Sequence, residues 1–255
     1  MRFASLGSGS EGNALVVQAG KTCVLMDCGF PLSDTCMRLA RLGLTPDCLT
    51  GIVVTHDHGD HINGVAKLAL KYSIPIWLTH GTFRARLKAL GNILQLTKID
   101  SHQSFAIGGL LVQPFPVPHD AAEPVQYKFS DGAKWLGVLT DIGCSTPHVE
   151  AMLSGCDALV LECNHDVELL ANSVYPISLK QRVGGRFGHL SNVEAASLLA
   201  RLDYSRLQHI VAAHLSRKNN TSELAVDALS TALNCNPEWV AVATQDEGLT
   251  WREIV

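Results

Sequence analysis

The stretch THDHGDH, residues 55–61, places three histidines and two aspartates within seven positions. Imidazole and carboxylate groups are the ligands that zinc, manganese and iron accept in proteins, whereas calcium prefers oxygen atoms alone. Neighbouring side chains in a tight turn point apart, so all four candidate ligands (His56, His58, Asp60 and His61) cannot comfortably serve one metal. The spacing therefore favours two metals that share the turn and draw further ligands from elsewhere in the chain.

The segments around this stretch predict where it lies in the fold. Residues 51–54 form a short apolar run typical of a buried strand, and residues 62–71 have the pattern of an amphipathic helix. Three further ligand candidates, His119, Asp141 and His214, each come at the end of an apolar stretch that predicts a strand. We expect these side chains to converge on one edge of the sheets.

The remaining pattern alternates short strands with helices. Strands are predicted at 2–6, 14–18, 22–26, 51–54, 74–78, 110–114, 125–129, 134–139, 157–162, 208–213 and 238–243. Helices are predicted at 32–42, 62–71, 81–90, 146–153, 191–201 and 221–233. Two β-rich stretches, each with its helices, indicate two sheets with helices outside. No shift in composition marks a boundary, so we expect one domain over residues 1–255.

Composition limits the class of protein. Of 255 residues, 47% are hydrophobic and 17% charged, enough apolar side chains for a sizeable core. The formal net charge of −4 excludes a generally basic nucleic-acid binder but leaves room for a local basic groove. The N-terminal segment lacks a signal-peptide pattern, no apolar run reaches the about 18 residues of a membrane span, and the eight cysteines form no C-x-x-C pair. These features predict a cytoplasmic protein with reduced thiols and no membrane partner.

The ordered set of ligand candidates resembles the metallo-β-lactamase superfamily, and the resemblance covers nearly the whole chain. It implies an α/β fold, a four-layer αββα sandwich, holding two divalent ions that could be zinc, manganese or iron. The first metal would be bound by His56, His58 and His119. The second would be bound by Asp60, His61 and His214, with Asp141 bridging the two. Asp27 would steady the turn behind the ligands.

Further stretches resemble the phosphodiesterase branch of this superfamily, which includes the tRNA-processing enzymes. The segments SLGSGSEGN, ECNHD, GGRFGHLSN and AAHLSRKNNT together look like the YycJ/WalJ-type proteins, which are implicated in DNA exonuclease activity. The resemblance implies hydrolysis of phosphodiester bonds with His189, Glu162 and Asp60 as catalytic residues. His189, oriented or charged by Glu162, could donate the proton that the leaving oxygen needs.

Several polar residues are candidates for contact with a nucleic-acid substrate, of which DNA is favoured over RNA. Ser8 and Asn13 belong to a Gly-rich loop that could touch phosphate or simply make a hairpin turn. Arg182 and Arg186 precede His189 and could follow a phosphate backbone, or could be ordinary solvated side chains. Asn219 follows His214 and could contact substrate or cap the next helix. A homodimer is left open.

Two other functions remain as alternatives. The first is a hydrolase of the same fold that acts on a small cyclic phosphodiester, thioester or lactone. The Glu162 and His189 pair argues against the thioester and lactone but not against the cyclic phosphodiester. The second is a metal-binding sensor or scaffold without turnover, which the complete ligand set disfavours.

Overall fold

Two mixed seven-stranded β-sheets form the centre of the computed structural model, which describes residues 1–255. In spatial order, the first sheet contains β14 (Leu249–Glu253), β1 (Arg2–Gly7), β2 (Ala14–Ala19), β3 (Thr22–Met26), β4 (Gly51–Val53), β5 (Ile76–Thr79) and β6 (Leu96–Ile99). The second contains β13 (Val240–Val242), β12 (His209–Ala213), β11 (Ala158–Glu162), β10 (Trp135–Leu139), β9 (Val125–Ser130), β8 (Leu110–Pro116) and β7 (Phe105–Ile107).

Each sheet has an antiparallel part and a parallel part. Strands β3 to β6 run parallel in the first sheet, and strands β10 to β13 run parallel in the second. Parallel strands end at the same edge of a sheet, and ligand sites in such sheets lie outside the carboxyl ends. The chain segments that follow β3, β4, β10, β11 and β12 therefore meet at one end of the molecule.

Helices cover the two outer faces. They are α1 (Leu32–Arg41), α2 (Gly59–Ile62), α3 (Val65–Tyr72), α4 (His80–Ala85), α5 (Leu87–Leu90), α6 (Pro147–Leu153), α7 (Val167–Asn172), α8 (Ile177–Val183), α9 (Asn192–Arg201) and α10 (Ser222–Leu233). Two short 3-10 helices lie at Pro46–Cys48 and Pro237–Trp239. None of these helices has both the length and the apolar character needed to span a bilayer.

Alternation along the strands produces three hydrophobic layers. In and just after β4, Val53 faces the other sheet, whereas Ile52 and Val54 face the helices. The layer between the sheets also contains Tyr127 and Val160, and separate layers lie between each sheet and its own helices. This arrangement confirms the predicted four-layer αββα sandwich.

The structure corrects several predicted boundaries. The helix predicted over 62–71 begins only at Val65, as α3, and Ile62 instead ends the short α2, because the Gly64 N–H donates to the Cys28 carbonyl oxygen at 2.8 Å. A Cβ atom at Gly64 would lie 2.1 Å from the Phe30 carbonyl oxygen, so only glycine fits against this backbone. The pattern also missed β6, β7, β14, α7 and α8.

The cysteines fit the prediction of reduced thiols. All eight are free, and Cys23, Cys28, Cys156 and Cys163 are buried. Burial raises the pKa of the Cys163 thiol, and it raises the pKa of Cys28 to about 12. These side chains therefore pack as small apolar groups.

Candidate metal centre

Three residues of the site adopt left-handed backbone conformations within two residues of a strand end. Asp27, Asp141 and His214 have φ angles of 62°, 52° and 56°. A non-glycine residue in this region is uncommon and costs free energy, and such residues concentrate at functional sites. From these strand ends the side chains of Asp141 and His214 enter the second ligand cluster, and Asp27 contacts His61 of that cluster.

The first cluster consists of His56, His58 and His119, whose ligand nitrogens lie within 4.8 Å of one another. His56 and His58 come from the segment after β4 in the first sheet, whereas His119 follows β8 in the second. The His58 Nδ1 and His119 Nε2 atoms are 3.2 Å apart. The cluster therefore joins the two sheets.

The second cluster consists of Asp60, His61, Asp141 and His214, again with ligand atoms within 4.8 Å of one another. His61 Nε2 lies 3.0 Å from Asp141 Oδ2 and 3.4 Å from Asp60 Oδ2. Asp141 Oδ1 lies 3.9 Å from His119 Nε2 of the first cluster. Asp141 therefore faces both clusters, as a bridging carboxylate would.

Asp27 and Thr55 hold two of the histidines from behind. Asp27 Oδ2 is 2.8 Å from His61 Nδ1, and the same carboxylate accepts hydrogen bonds from the Thr55 backbone N–H and hydroxyl. Thr55 Oγ1 lies 2.9 Å from His56 Nδ1. Because the Nδ1 atoms are engaged, the Nε2 atoms of both rings are left for the centre.

The other histidines are fixed in the same way. His119 Nδ1 donates to the Gly188 carbonyl oxygen at 3.0 Å, so its Nε2 atom is free. His58 is reversed, because its Nε2 atom lies 3.2 Å from the Asp120 carbonyl oxygen and its Nδ1 atom faces the cluster.

Glu162 is a fully buried carboxylate beneath the second cluster. Its Oε1 atom lies 2.9 Å from both His189 Nδ1 and His214 Nδ1, and its Oε2 atom accepts the backbone N–H groups of Ile142 and Leu190. Burial acts to raise the pKa of Glu162, but the neighbouring His189 and His214 rings outweigh burial and lower the pKa to about 2. Glu162 therefore remains an anion that orients two imidazoles, and it does not reach the solvent.

His189 stands at the border of the centre, with 22% of its side chain exposed. Burial opposes the charged ring, but Glu162 and Asp141 outweigh that effect and raise the pKa of His189. Since Nδ1 is held by Glu162, the Nε2 atom is the one available to a bound molecule.

Opposite charges also set the protonation of the second cluster. Burial disfavours the imidazolium forms, but Asp141 and other carboxylates raise the pKa of His61 and raise that of His214 to about 10. Burial likewise opposes the anionic form of Asp141, yet His214 and His61 hold its pKa well below the usual range. The cluster thus packs basic imidazole rings against acidic carboxylates in one buried space, where each stabilises the charged form of the other.

The two clusters open into a cavity of about 310 Å³. Its walls carry ligand candidates, His189 and residues of the α8 region. They are Ser10, His58, Gly59, Asp60, Asp120, Asp141, Leu179, Arg182, Val183, Gly188, His189 and His214. A bound molecule in this cavity would lie against both clusters at once.

The donor sets fit divalent metal ions. His56 Nε2 and His214 Nε2 are buried and have no hydrogen-bond partner, which is rare for buried polar atoms. Each atom faces a cluster of imidazole and carboxylate donors at metal-ligand spacing. Such mixed nitrogen and oxygen sets suit zinc, manganese or iron.

The structure separates the predicted substrate contacts. Ser8, Asn13 and Asn219 are buried, with at most 6% of their surface exposed. Ser8 Oγ accepts the His214 backbone N–H at 2.9 Å, and Asn13 Nδ2 donates to Asp60 Oδ2 at 3.2 Å. Ser8 and Asn13 thus support the ligand clusters from inside, because burial leaves little of either side chain for substrate. Asn219 is buried as well, but its side-chain amide makes no hydrogen bond to either cluster.

The predicted basic side chains differ in their partners. Arg182 donates to Asp120 Oδ2 at 2.6 Å at the cavity wall, whereas Arg186 is exposed and has no ion pair. Arg217, beyond His214, pairs with Asp246 and with Glu11. Of these three arginines, Arg186 is therefore the one without an acidic partner.

The sequence pattern missed Thr55 and Asp120. Thr55 opens the histidine stretch and bonds to Asp27, but a threonine at a strand end has no distinctive pattern. Asp120 follows His119 directly, and its Oδ1 atom lies 3.6 Å from His119 Nε2. Its proximity to a ligand candidate in sequence was the one available signal.

Known proteins share this arrangement. A family model described as a β-lactamase superfamily domain matches residues 22–214. The chain is 36% identical to exodeoxyribonuclease YycJ of Bacillus anthracis over 239 residues, which cover 91% of this chain and 89% of that protein. It is 34% identical to exodeoxyribonuclease WalJ of Streptococcus pneumoniae over 232 residues, or 88% and 85% of the two chains.

Solved structures agree with the family match. The metallo-β-lactamase fold protein YhfI of Bacillus subtilis has a TM-score of 0.76 to this chain at 16% identity, and the match covers 99% of each chain. At that identity the likeness concerns the fold. The sequence relatives confirm the YycJ/WalJ-type resemblance. The chain therefore belongs to the β-lactamase superfamily and is a metal-dependent hydrolase.

Proposed function

We propose that this hydrolase binds two divalent ions, zinc or manganese, and cleaves phosphodiester bonds at the ends of DNA as a single domain over residues 1–255. The observation that carries the proposal is the position of His189. It borders the cavity shared by both ligand clusters, and buried Glu162 holds its ring at 2.9 Å. The relatives of this chain in Bacillus anthracis and Streptococcus pneumoniae are named exodeoxyribonucleases.

The ligand sets divide between two ions. The first ion would be held by His56, His58 and His119. The second would be held by Asp60, His61 and His214, with Asp141 between them. When bound, the ions would supply a nucleophile at neutral pH and a Lewis acid for the phosphate oxygens.

His189 would supply the proton for the leaving oxygen. Its Nδ1–H is held by Glu162, and the same carboxylate raises the pKa of His189, so the imidazolium form would carry a second proton on Nε2, the atom open to a bound phosphodiester. His189 is thus the catalytic residue of the pair, and Glu162 is a positioning residue. Asp60 lines the same cavity and would act as a ligand there.

Positive charge at the mouth would hold the phosphate backbone. Arg186 is free to contact phosphate, whereas Arg182 would have to exchange its Asp120 partner for one. Charge reversal at Arg186 should therefore weaken DNA binding and reduce its salt dependence. Arg217→Glu is the matched control, because Arg217 is already neutralised by Asp246 and Glu11.

The test is a comparison of substrates. Protein reloaded with zinc or with manganese is incubated with 5′- and 3′-labelled DNA and RNA, a cyclic dinucleotide and a thioester. Asp141→Ala serves as the inactive variant, and Asp227→Ala, an exposed position on α10, serves as the surface control. We expect progressive shortening of DNA by the native protein and by Asp227→Ala, with none by Asp141→Ala.

Other outcomes distinguish the alternatives. A cavity of about 310 Å³ also has room for a small substrate. Hydrolysis of the cyclic dinucleotide without DNA shortening would replace the nuclease proposal with a small-substrate phosphodiesterase. Faster shortening of RNA than of DNA would overturn the DNA assignment alone.

A further inference from the structure

An exposed phenylalanine directly precedes two residues that line the cavity, and it has no role in the chemistry described so far. Phe187 has 61% of its surface exposed, whereas Phe3, Phe30, Phe115 and Phe129 are buried. It directly precedes Gly188 and His189, both of which line the cavity. An exposed ring at the border of a site is more informative than a scattered surface side chain.

The backbone that carries this ring is fixed. The Phe187 carbonyl oxygen accepts the Asp120 N–H at 3.0 Å, and the next carbonyl, that of Gly188, accepts His119 Nδ1. A Cβ atom at Gly143 would lie 2.5 Å from the Phe187 nitrogen, so another chain segment packs closely beneath the turn. The backbone that carries the ring is thus anchored to residues beside the metal centre.

Phe187 and the residue before it are of the types that bind a nucleotide. Arg186 is an exposed cation without an ion pair, and it precedes the ring directly. Proteins that bind single-stranded nucleic acid combine such cations, which contact phosphate, with aromatic rings that stack on bases. Every base has a stacking face, so this combination tolerates any sequence, as a degrading enzyme requires.

We propose that Phe187 stacks on the nucleobase of a nucleotide adjoining the scissile phosphate, so that this nucleotide enters the site unpaired. The inference rests on the proposed nuclease function and adds the form of substrate that the site accepts. In a duplex the base on the inner side of the scissile phosphate has both faces covered by neighbouring bases, and the terminal base keeps only its outer face free. Stacking of the ring on the inner base therefore requires the end of the duplex to open.

The test is a double-mutant cycle between protein and substrate. Native protein and Phe187→Ala are compared on single-stranded DNA with natural end nucleotides and on DNA with an abasic unit at each of the two end positions in turn. We expect Phe187→Ala to lower kcat/KM on natural DNA by about 10- to 100-fold. One abasic substrate should lower the native value similarly, and the variant should lose little more on it.

Two further variants control the interpretation. Phe187→Trp keeps a stacking surface and should restore most of the lost kcat/KM. Tyr204→Ala removes an aromatic ring that is 41% exposed and lies beyond α9, and it should leave kcat/KM unchanged. Melting curves establish that each variant is folded, and an exposed ring can be removed without a cavity.

Several results would overturn the stacking role. One is a native kcat/KM for Phe187→Ala on natural DNA. Another is a kcat/KM for Phe187→Ala on the abasic substrate that is reduced by the product of the two separate losses, which would show that the ring and the base act independently. Failure of Phe187→Trp to recover activity would also count against it. If the metal-loaded native protein shortens no DNA at all, the nuclease function itself fails, which is a separate result.

Discussion

At the scale of single residues, the site depends on side chains that are each held from behind. Asp27, Thr55 and Glu162 engage the Nδ1 atoms of His61, His56 and His214 at 2.8 to 2.9 Å. Such partners fix the tautomer and the ring orientation before any ligand binds. The same logic applies to His189, whose partner is again Glu162.

Replacing His189 tests its catalytic role. His189→Ala should lower kcat by about 100- to 10,000-fold, because it removes the proton donor for the leaving oxygen. Bound metal per chain, measured by elemental analysis, should stay at the native level. The exposed His148→Ala is the matched control, and wild-type turnover by His189→Ala would refute the assignment.

Replacing Asp27 tests the support of the ligands. Asp27→Asn keeps the shape of the side chain but weakens the bond to His61 Nδ1, so metal affinity should fall by about 10- to 100-fold. Competition with a chromophoric chelator measures this affinity. Asp47→Asn alters an exposed aspartate and should leave it unchanged, and equal affinities for both variants would contradict the role of Asp27.

The sequence predicted which residues belong to the ligand clusters better than it predicted the burial and the partners of the residues around them. The spacing at residues 55–61 and the strand-end positions of His119, Asp141 and His214 indicated groups that the structure brings together. Burial of Ser8, Asn13 and Asn219 was not predictable, because it depends on chain segments distant in sequence. Neutralisation of Arg217 by Asp246 depends likewise on a residue from another loop.

At the scale of elements, Glu162 connects the ends of the parallel strands in the second sheet. It terminates β11, accepts N–H groups that follow β10, and contacts His214 after β12. It also accepts the Leu190 N–H just before α9. One buried carboxylate therefore fixes the ends of these strands and the orientation of two imidazole rings.

Replacing this carboxylate should reduce stability as well as activity. In Glu162→Gln an amide NH₂ group replaces one oxygen and faces N–H donors, so metal-free protein should lose about 3 kcal/mol of unfolding free energy. Urea denaturation measures the loss. Glu168→Gln, an exposed change in α7, should cost almost nothing, and a native midpoint for Glu162→Gln would show that the network is dispensable.

Element prediction succeeded where periodicity was strong. Strands β1 to β4 and helices α6, α9 and α10 lie close to their predicted bounds, because the strands are buried on both faces and each helix has an apolar face. The short strands β6 and β7 lack the length to show alternation. Helices α7 and α8 flank Pro176 and bury few side chains, so no apolar period marks them.

At the scale of the whole molecule, each ligand cluster takes side chains from both sheets. His56 and His58 follow a strand of the first sheet, whereas His119 and His214 follow strands of the second. Bound ions would therefore fasten the two halves of the sandwich together at one end.

Removing metal should consequently lower thermal stability. An ion at a free concentration 100 times its Kd adds about 2.7 kcal/mol to the folded state, which corresponds to about 5–10 °C in Tm for a chain of this size. Differential scanning calorimetry with and without chelator measures the shift. Asp141→Ala should show a smaller shift, and an unchanged native Tm would contradict tight metal binding.

The most direct test titrates manganese into metal-free protein and follows cleavage of end-labelled DNA at each step. We expect cleavage to rise with bound metal and to level off at two ions per chain, with no cleavage by Asp141→Ala. It would be contradicted by protein that holds two ions and leaves every DNA end intact.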